Sequence, residues 1–383
     1  MASANPFVYG EIVSSGAFAD REHERARLGR DLAAGQKIFL ISPRRYGKSS
    51  LIRDVMKGLA ADRVLTVEVT VAASSSYVGF LEAYARALVS ADTPAGRLRR
   101  WTTELLQAVR PELRFDAQPR GPSRFALAFP TVRTARDAAR LAAEVFALPG
   151  RIAAARRQRM AIALDEFQTI AAFDGGSVEH ALRAAVQDQR AVGYVFAGSE
   201  PSLMERMLGP RRPFYKAGPV MRLEKIDERL FAAFVEARFV ASGIRTEDGL
   251  GTAIVELGEN VPYDVQRLAH ETWDDVKAAG RRMAGLEDLH LTLTRLLDEQ
   301  HTVFEESWQR LTLAQRAVLR ALVLENGREL LAAEVRSRHR LAGASSVQSA
   351  LAALVRQDIV MKEDARYLVS DSLYREWVAR RTF

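Results

Sequence analysis

The stretch Lys37-Ile38-Phe39-Leu40-Ile41-Ser42-Pro43-Arg44-Arg45-Tyr46-Gly47-Lys48-Ser49-Ser50 decides the fold. Five residues of mostly apolar character read as a buried strand, the turn that follows leaves through Gly-Lys-Ser, and a helix begins at Ser49. A strand that delivers backbone N–H groups and a helix N-terminus to one point makes an anion cradle. The spacing matches the P-loop pattern GxxxxGK[ST], in which Lys48 meets the β- and γ-phosphates, Ser49 holds Mg²⁺ and Gly47 lets the backbone approach closely. Ser42 stands where that pattern has its first glycine. Taken alone, the same residues also read as a surface turn rich in Arg and Gly.

A second stretch, Arg159 to Gln168 (RMAIALDEFQ), supplies the other half of a phosphate site. An apolar run of strand length ends in two adjacent carboxylates, as a Walker B strand does. In that role Asp165 binds Mg²⁺ through its water shell, and Glu166 orients and deprotonates the attacking water. The competing reading makes Asp165-Glu166 the cap of a helix starting near Phe167.

The chain has 383 residues, 48% of them hydrophobic, enough for two or three folded domains and too many apolar residues for a disordered protein. Its formal charge of +7 suits an anionic partner. Without cysteine there are neither disulfides nor thiolate metal sites, and the six histidines, His270 and His290 among them, lack ligand spacing. No apolar run reaches the roughly 18 residues of a membrane span, and the N-terminus MASANPFVYG has no signal-peptide character. The expected location is therefore cytoplasmic, with no membrane partner.

Outward from the two motifs, Asp20 is the expected N-cap of a helix running to about Ala34, and Arg63 to Val71 alternates as a half-buried strand. Residues 93–131 interrupt the βα rhythm as a basic insertion. Arg97, Arg99, Arg100, Arg110, Arg114, Arg120 and Arg124 lie there with Trp101 and Phe115, followed by Arg133, Arg136 and Arg140. A nucleic-acid groove and a set of amphipathic helices with solvated arginines both fit this composition. A later strand, Gly193–Ala197, ends in Gly198-Ser199-Glu200 before a Pro-started helix. In doubly wound ATPases this edge faces the γ-phosphate, where Ser199 or Glu200 would sense it, and a simple strand-to-helix turn fits the same residues equally well. A loop carrying Arg211, Arg212 and Lys216 leads to a last short strand, and helical patterns follow to Ala279.

From Leu311 the pattern changes to helices Thr312–Leu324, Ala332–His339 and Ala344–Gln357, then paired strands Ile359–Lys362 and Arg366–Val369. Three helices closed by a hairpin describe a winged helix-turn-helix. The helix in the reading position offers Ser345, Ser346, Gln348 and Ser349 but only Arg356 as a cation. Arg336, Arg338, His339 and Arg340 precede it, and Lys362 and Arg366 sit in the wing. That distribution favours phosphate contact over base recognition, and domain or protein docking fits the same surface.

Phe18…Arg21-Glu22, the run Pro43 to Ser50, Leu164-Asp165-Glu166-Phe167-Gln168, Pro213-Phe214-Tyr215 and Asn260-Val261-Pro262-Tyr263 together resemble the archaeal-type ATPase family, a branch of the AAA+ and STAND-like P-loop ATPases. The resemblance spans nearly the whole chain. It implies an α/β AAA+-type core with a parallel sheet over 1–225, a helical lid over 226–308 and a winged helix domain over 309–383. It implies further that Phe18 and Arg21 line the adenine side, that Pro43, Arg44, Arg45, Tyr46, Gly47, Lys48, Ser49 and Ser50 hold the phosphates, and that Pro262 belongs to the lid motif. In that motif Asn260 replaces glycine, and asparagine tolerates the left-handed conformation. Lys216 stands where the family places a trans-acting arginine, which leaves Arg211 and Arg212 as candidates beside it.

The expected function is an ATP-binding, Mg²⁺-dependent ATPase whose nucleotide state sets the positions of lid and winged helix. The alternative is a nucleotide-gated DNA-binding or protein-docking module with negligible turnover. Expected partners are ATP and ADP, weakly and sequence-tolerantly bound duplex DNA, and a protein partner or further copies of the chain.

Overall fold

The structure is a computed structural model that describes residues 4–11, 19–92, 112–116, 124–128, 132–173, 177–363 and 366–381. Phe18, Arg97, Arg99, Arg100, Trp101, Arg110 and Arg120 lie outside the described residues. The chain divides into two compact units, Ile12–Glu224 and a discontinuous one built of Met1–Glu11 with Lys225–Phe383.

The first unit is organised by a five-stranded sheet in the order β2-β5-β6-β1-β7, with β1 Lys37–Ile41, β2 Leu65–Thr70, β5 Met160–Asp165, β6 Val192–Gly198 and β7 Val220–Arg222. Every pairing within it is parallel. Helices cover both faces, so the central strands β5 and β6 are buried almost throughout, as parallel strands covered on both sides must be. Side-chain alternation divides the core. Phe39, Ile41, Ile162, Leu164, Tyr194 and Phe196 face one layer with helices Tyr77–Asp92 and Ala135–Arg156. Ile38, Leu40, Ala161, Ala163, Val195 and Ala197 face the other, against Leu28 and Leu32 of helix Glu22–Ala33 and Leu51, Ile52, Val55 and Met56 of helix Lys48–Ala61. The alanines on this side admit close approach of the helix that follows the P-loop.

Two expectations change. Asp20 is not the N-cap: its own φ is +49°, Arg21 takes the cap position, and the Asp20 carboxylate accepts instead from the Arg21 N–H at 3.1 Å. The described part of the 93–131 insertion is an antiparallel hairpin, β3 Glu112–Asp116 with β4 Arg124–Ala128, where amphipathic helices were one of two expectations. The helix after it runs over Ala135–Arg156, passing through Pro149, and opens on a capping box between Thr134 and Asp137.

In the second unit, helices Glu228–Ala241, Leu250–Leu257, Pro262–Ala278 and Leu286–Gln309 are joined by short loops and a two-residue parallel pairing of β8 Arg245–Thr246 with β9 Met283–Ala284. The extended segment Asn5–Tyr9 lies along helix Pro262–Ala278. Phe7 is buried against Phe239, the Asn5 amide donates to His270 O and Asp274, and the Tyr9 hydroxyl donates to Glu271 at 2.5 Å. Helices Leu313–Leu324, Ala333–Arg338 and Ala344–Arg356 then lead into the hairpin of β10 Val360–Glu363 and β11 Arg366–Val369. The last helix, Ser372–Arg381, returns to Leu286–Gln309, where Trp377 packs among Phe304, Trp308 and Tyr374.

Candidate nucleotide site

The site forms at the C-terminal edge of the sheet, where β1, β6 and β5 end side by side. This is the crevice at which doubly wound sheets take ligands, because the chain leaves neighbouring strands in opposite directions. Ser42 follows β1 directly. Its N–H donates to Gly198 O at 3.2 Å and its hydroxyl to Pro43 O at 2.9 Å. Ser42 is not among the residues of positive φ, so no glycine is required there. The left-handed positions of the loop are Arg45, at +70°, and Gly47, at +83°. A Cβ on Gly47 would meet open space, so the demand at that position is conformational.

Lys48 opens the helix and is 5% exposed. Its ammonium contacts Asp165 Oδ1 and lies 3.5 Å from Glu166 Oε1. Ser49 Oγ donates to Asp165 Oδ2 at 2.7 Å. The two motifs, 117 residues apart between Lys48 and Asp165, thus meet through their side chains. Glu166 has a φ of +53°, which turns the chain sharply after β5. The other Glu166 carboxylate oxygen, Oε2, accepts from Ser199 Oγ and from the Gln168 amide at 2.6 Å. The donor set fits a nucleotide with Mg²⁺. A hydroxyl and a carboxylate converge as hard oxygen ligands, and a buried ammonium stands beside a helix N-terminus over an open left-handed glycine.

The remaining residues named from sequence divide by surroundings. Arg44, mostly exposed, lies 3.6 Å from Glu200 and so links the phosphate loop to the turn after β6. Tyr46 and Ser50 are buried. The Arg21 guanidinium is directed to Glu24 at 2.7 Å and to the main-chain oxygen of Glu224. Arg212 donates to Glu179 Oε1 at 2.9 Å. Burial raises the Glu179 carboxyl above the ordinary range, with Arg212 acting in the opposite sense. The Lys216 ammonium lies 5.3 Å from the centre of the neighbouring Tyr215 ring. Arg211 has no side-chain partner among the described residues. Pro262 belongs to the second unit, at the start of helix Pro262–Ala278, behind the left-handed Asn260, whose amide donates to Ile226 O at 2.6 Å. Gln168 carried no role in the sequence reading beyond its place in the motif.

In the winged helix, Val347, Ala350, Leu351 and Leu354 are buried and Ser345, Ser346, Gln348 and Ser349 are exposed. Arg338 is spent on Glu325 and Glu334, at 2.9 Å each, and His339 Nε2 lies 2.6 Å from the same Glu325. Among the described residues, Arg340 has no side-chain partner and the Lys362 ammonium lies over the Tyr367 ring.

Residues 302–380 match a protein family described as "Probable winged helix domain". No curated protein sequence matches the chain. Among solved structures, a Walker-type ATPase of Pyrococcus abyssi is similar over 95% of this chain and 97% of its own, at 16% identity and a TM-score of 0.60. The ORC2 protein of Aeropyrum pernix, in its ADPNP-ADP complexes, is similar over 99% and 95%, at 13% identity and 0.54. The ORC1 protein of the same organism, solved with DNA, is similar over 96% and 94%, at 13% identity and 0.52. These likenesses are of fold. They define a fold class: a parallel sheet covered by helices on both faces, as in these Walker-type ATPase and ORC structures, followed by a C-terminal winged helix domain. Among the described residues no helix is long and apolar enough to cross a membrane.

Proposed function

We propose that the protein binds ATP with Mg²⁺ and hydrolyses it, and that nucleotide state changes the positions of a helical lid and the winged helix relative to the ATPase core. The observation that carries this reading is the convergence of Lys48, Ser49, Asp165 and Glu166. Lys48 and the N–H groups of the loop would hold the β- and γ-phosphates, and Ser49 and Asp165 would hold the metal. Bound Mg²⁺ supplies positive charge to the phosphate oxygens. Glu166 would orient the attacking water and take its proton. Phe18, Arg21 and Pro262 are proposed for the adenine side and lid, and Ser199 for sensing the γ-phosphate.

A second reading, a nucleotide-gated docking module with little turnover, draws support from Arg212. Its charge is already engaged by Glu179, which leaves fewer groups to stabilise charge on the transferred phosphoryl. Duplex DNA is the proposed partner of the winged helix, bound weakly through phosphates. Phosphate release measured on wild type and Glu166→Gln, with and without duplex DNA, tests both readings. Hydrolysis by wild type and its loss in Glu166→Gln with nucleotide binding intact supports the enzyme. Tight ATP binding with no phosphate release by wild type supports the module.

A further inference from the structure

Gln168 sits two residues beyond Glu166 on the short 3-10 turn Phe167–Ala172 and is 5% exposed. Its Nε2 donates to Glu166 Oε2 at 2.6 Å and reaches Ser199 Oγ at 3.4 Å, while Ser199 Oγ donates to that same carboxylate oxygen. The three side chains close a ring around Oε2. The opposite oxygen, Oε1, faces Lys48. The amide orientation is fixed by these partners, since the reverse would set a carbonyl oxygen against a carboxylate.

The other end of the amide is unfavourably placed. Gln168 Oε1 is buried without a hydrogen-bond partner and lies 2.8 Å from where a Cβ on Gly198 would stand. An orphaned buried carbonyl costs about 1–3 kcal/mol. A methionine of the same length would fill the space without that cost, so packing does not account for an amide here. Its contact with Glu166 does.

We propose that Gln168 is a positioning residue for hydrolysis, which together with Ser199 fixes Glu166 Oε2 and thereby presents Oε1 to the attacking water when Lys48 engages phosphate. Gln168 itself neither takes nor gives a proton. This inference rests on Glu166 being the base, as set out under the proposed function.

The test uses the full chain with ATP and Mg²⁺ and the variants Gln168→Met and Ser199→Ala, each also combined with Glu166→Gln. Either single change should lower kcat by about 10- to 100-fold, the scale of a misplaced general base, with KM and the Kd for fluorescent ATP within about twofold. In the Glu166→Gln background neither change should lower turnover further, because both act through Glu166. Gln168→Met should melt no lower than wild type. Wild-type kcat in both single variants, a rise in KM at unchanged kcat, or an equal fall in both backgrounds overturns the inference alone. A wild-type chain that releases no phosphate, or a fully active Glu166→Gln, overturns the underlying reading and this inference with it.

Discussion

The Arg212 guanidinium and the Glu179 carboxylate form an ion pair at 2.9 Å in which the carboxylate is 1% exposed and the guanidinium 44%. Arg212 therefore has a structural occupation. Of the three basic residues proposed to act on a transferred phosphoryl group, Arg211 has no side-chain partner among the described residues, while the Lys216 ammonium lies over the neighbouring Tyr215 ring.

Arg211 and Arg212 should behave differently when each is changed to alanine. If a neighbouring copy supplies the stabilising charge, turnover per molecule rises with protein concentration in wild type. Arg211→Ala should abolish that rise, at a cost of at least about tenfold in kcat, since such arginines contribute far more in related chemistry. Arg212→Ala should keep the rise and lose stability by about 1–3 kcal/mol, the cost of stranding a buried acceptor. Assays from dilute to concentrated protein, with melting curves alongside, separate the two.

Glu179 predicts a pH effect on stability. Burial raises its carboxyl in the folded protein, so its favourable contribution is complete below the ordinary glutamate value of about 4.3 and is lost as pH climbs through the raised one. Wild type should therefore lose stability relative to Glu179→Gln as pH rises from about 4, with the difference level once the carboxyl is fully ionised. Denaturant midpoints for both proteins across that range check it. A difference that does not change with pH would show that Glu179 titrates alike in folded and unfolded chains.

Lys48→Ala should weaken ATP binding roughly ten- to a hundredfold, because a charge-assisted contact worth about 1.5–3 kcal/mol is removed. Titration of fluorescent ATP into both proteins measures it, and equal affinities would dismiss the phosphate-loop assignment.

Duplex binding by the winged helix should depend on Arg340 and Lys362 more than on Arg338. Each neutralised phosphate contributes about −0.9 to the log–log salt slope, so alanine at Arg340 or Lys362 should flatten the slope by about one unit. Arg338 already faces two glutamates, and its loss should change the slope less. Anisotropy titrations of unrelated duplexes at several salt concentrations distinguish these outcomes.

The strands that carry the site were legible because a parallel strand covered on both sides is an apolar run with chemistry at its end, and Lys37–Ile41 and Met160–Asp165 have that form. The helix Leu286–Gln309 was not legible. Its buried stripe of Leu289, Leu293, Leu296 and Leu297 is interrupted before Phe304, and Leu291 and Val303 lie exposed off the stripe. The Arg212–Glu179 pair joins a loop to a helix 33 residues earlier, and no local pattern marks it. Gln168 was visible as a letter of a motif, but its return onto Glu166 depends on the left-handed turn at Glu166, which only the folded backbone displays.

The segment Asn5–Tyr9 has a consequence for how the chain is made. Asn5 binds His270 across 265 residues of sequence, so the first part of the second unit to leave the ribosome waits while the whole P-loop unit is translated. That unit, being continuous, can close on its own contacts in the meantime. The waiting segment then docks on helix Pro262–Ala278 as a late event of high contact order. A chain started by recombinant means at Ile12 would carry Lys48, Ser49, Asp165 and Glu166 and yet expose both Phe239, against which Phe7 packs, and the side of helix Pro262–Ala278 that Tyr9 covers.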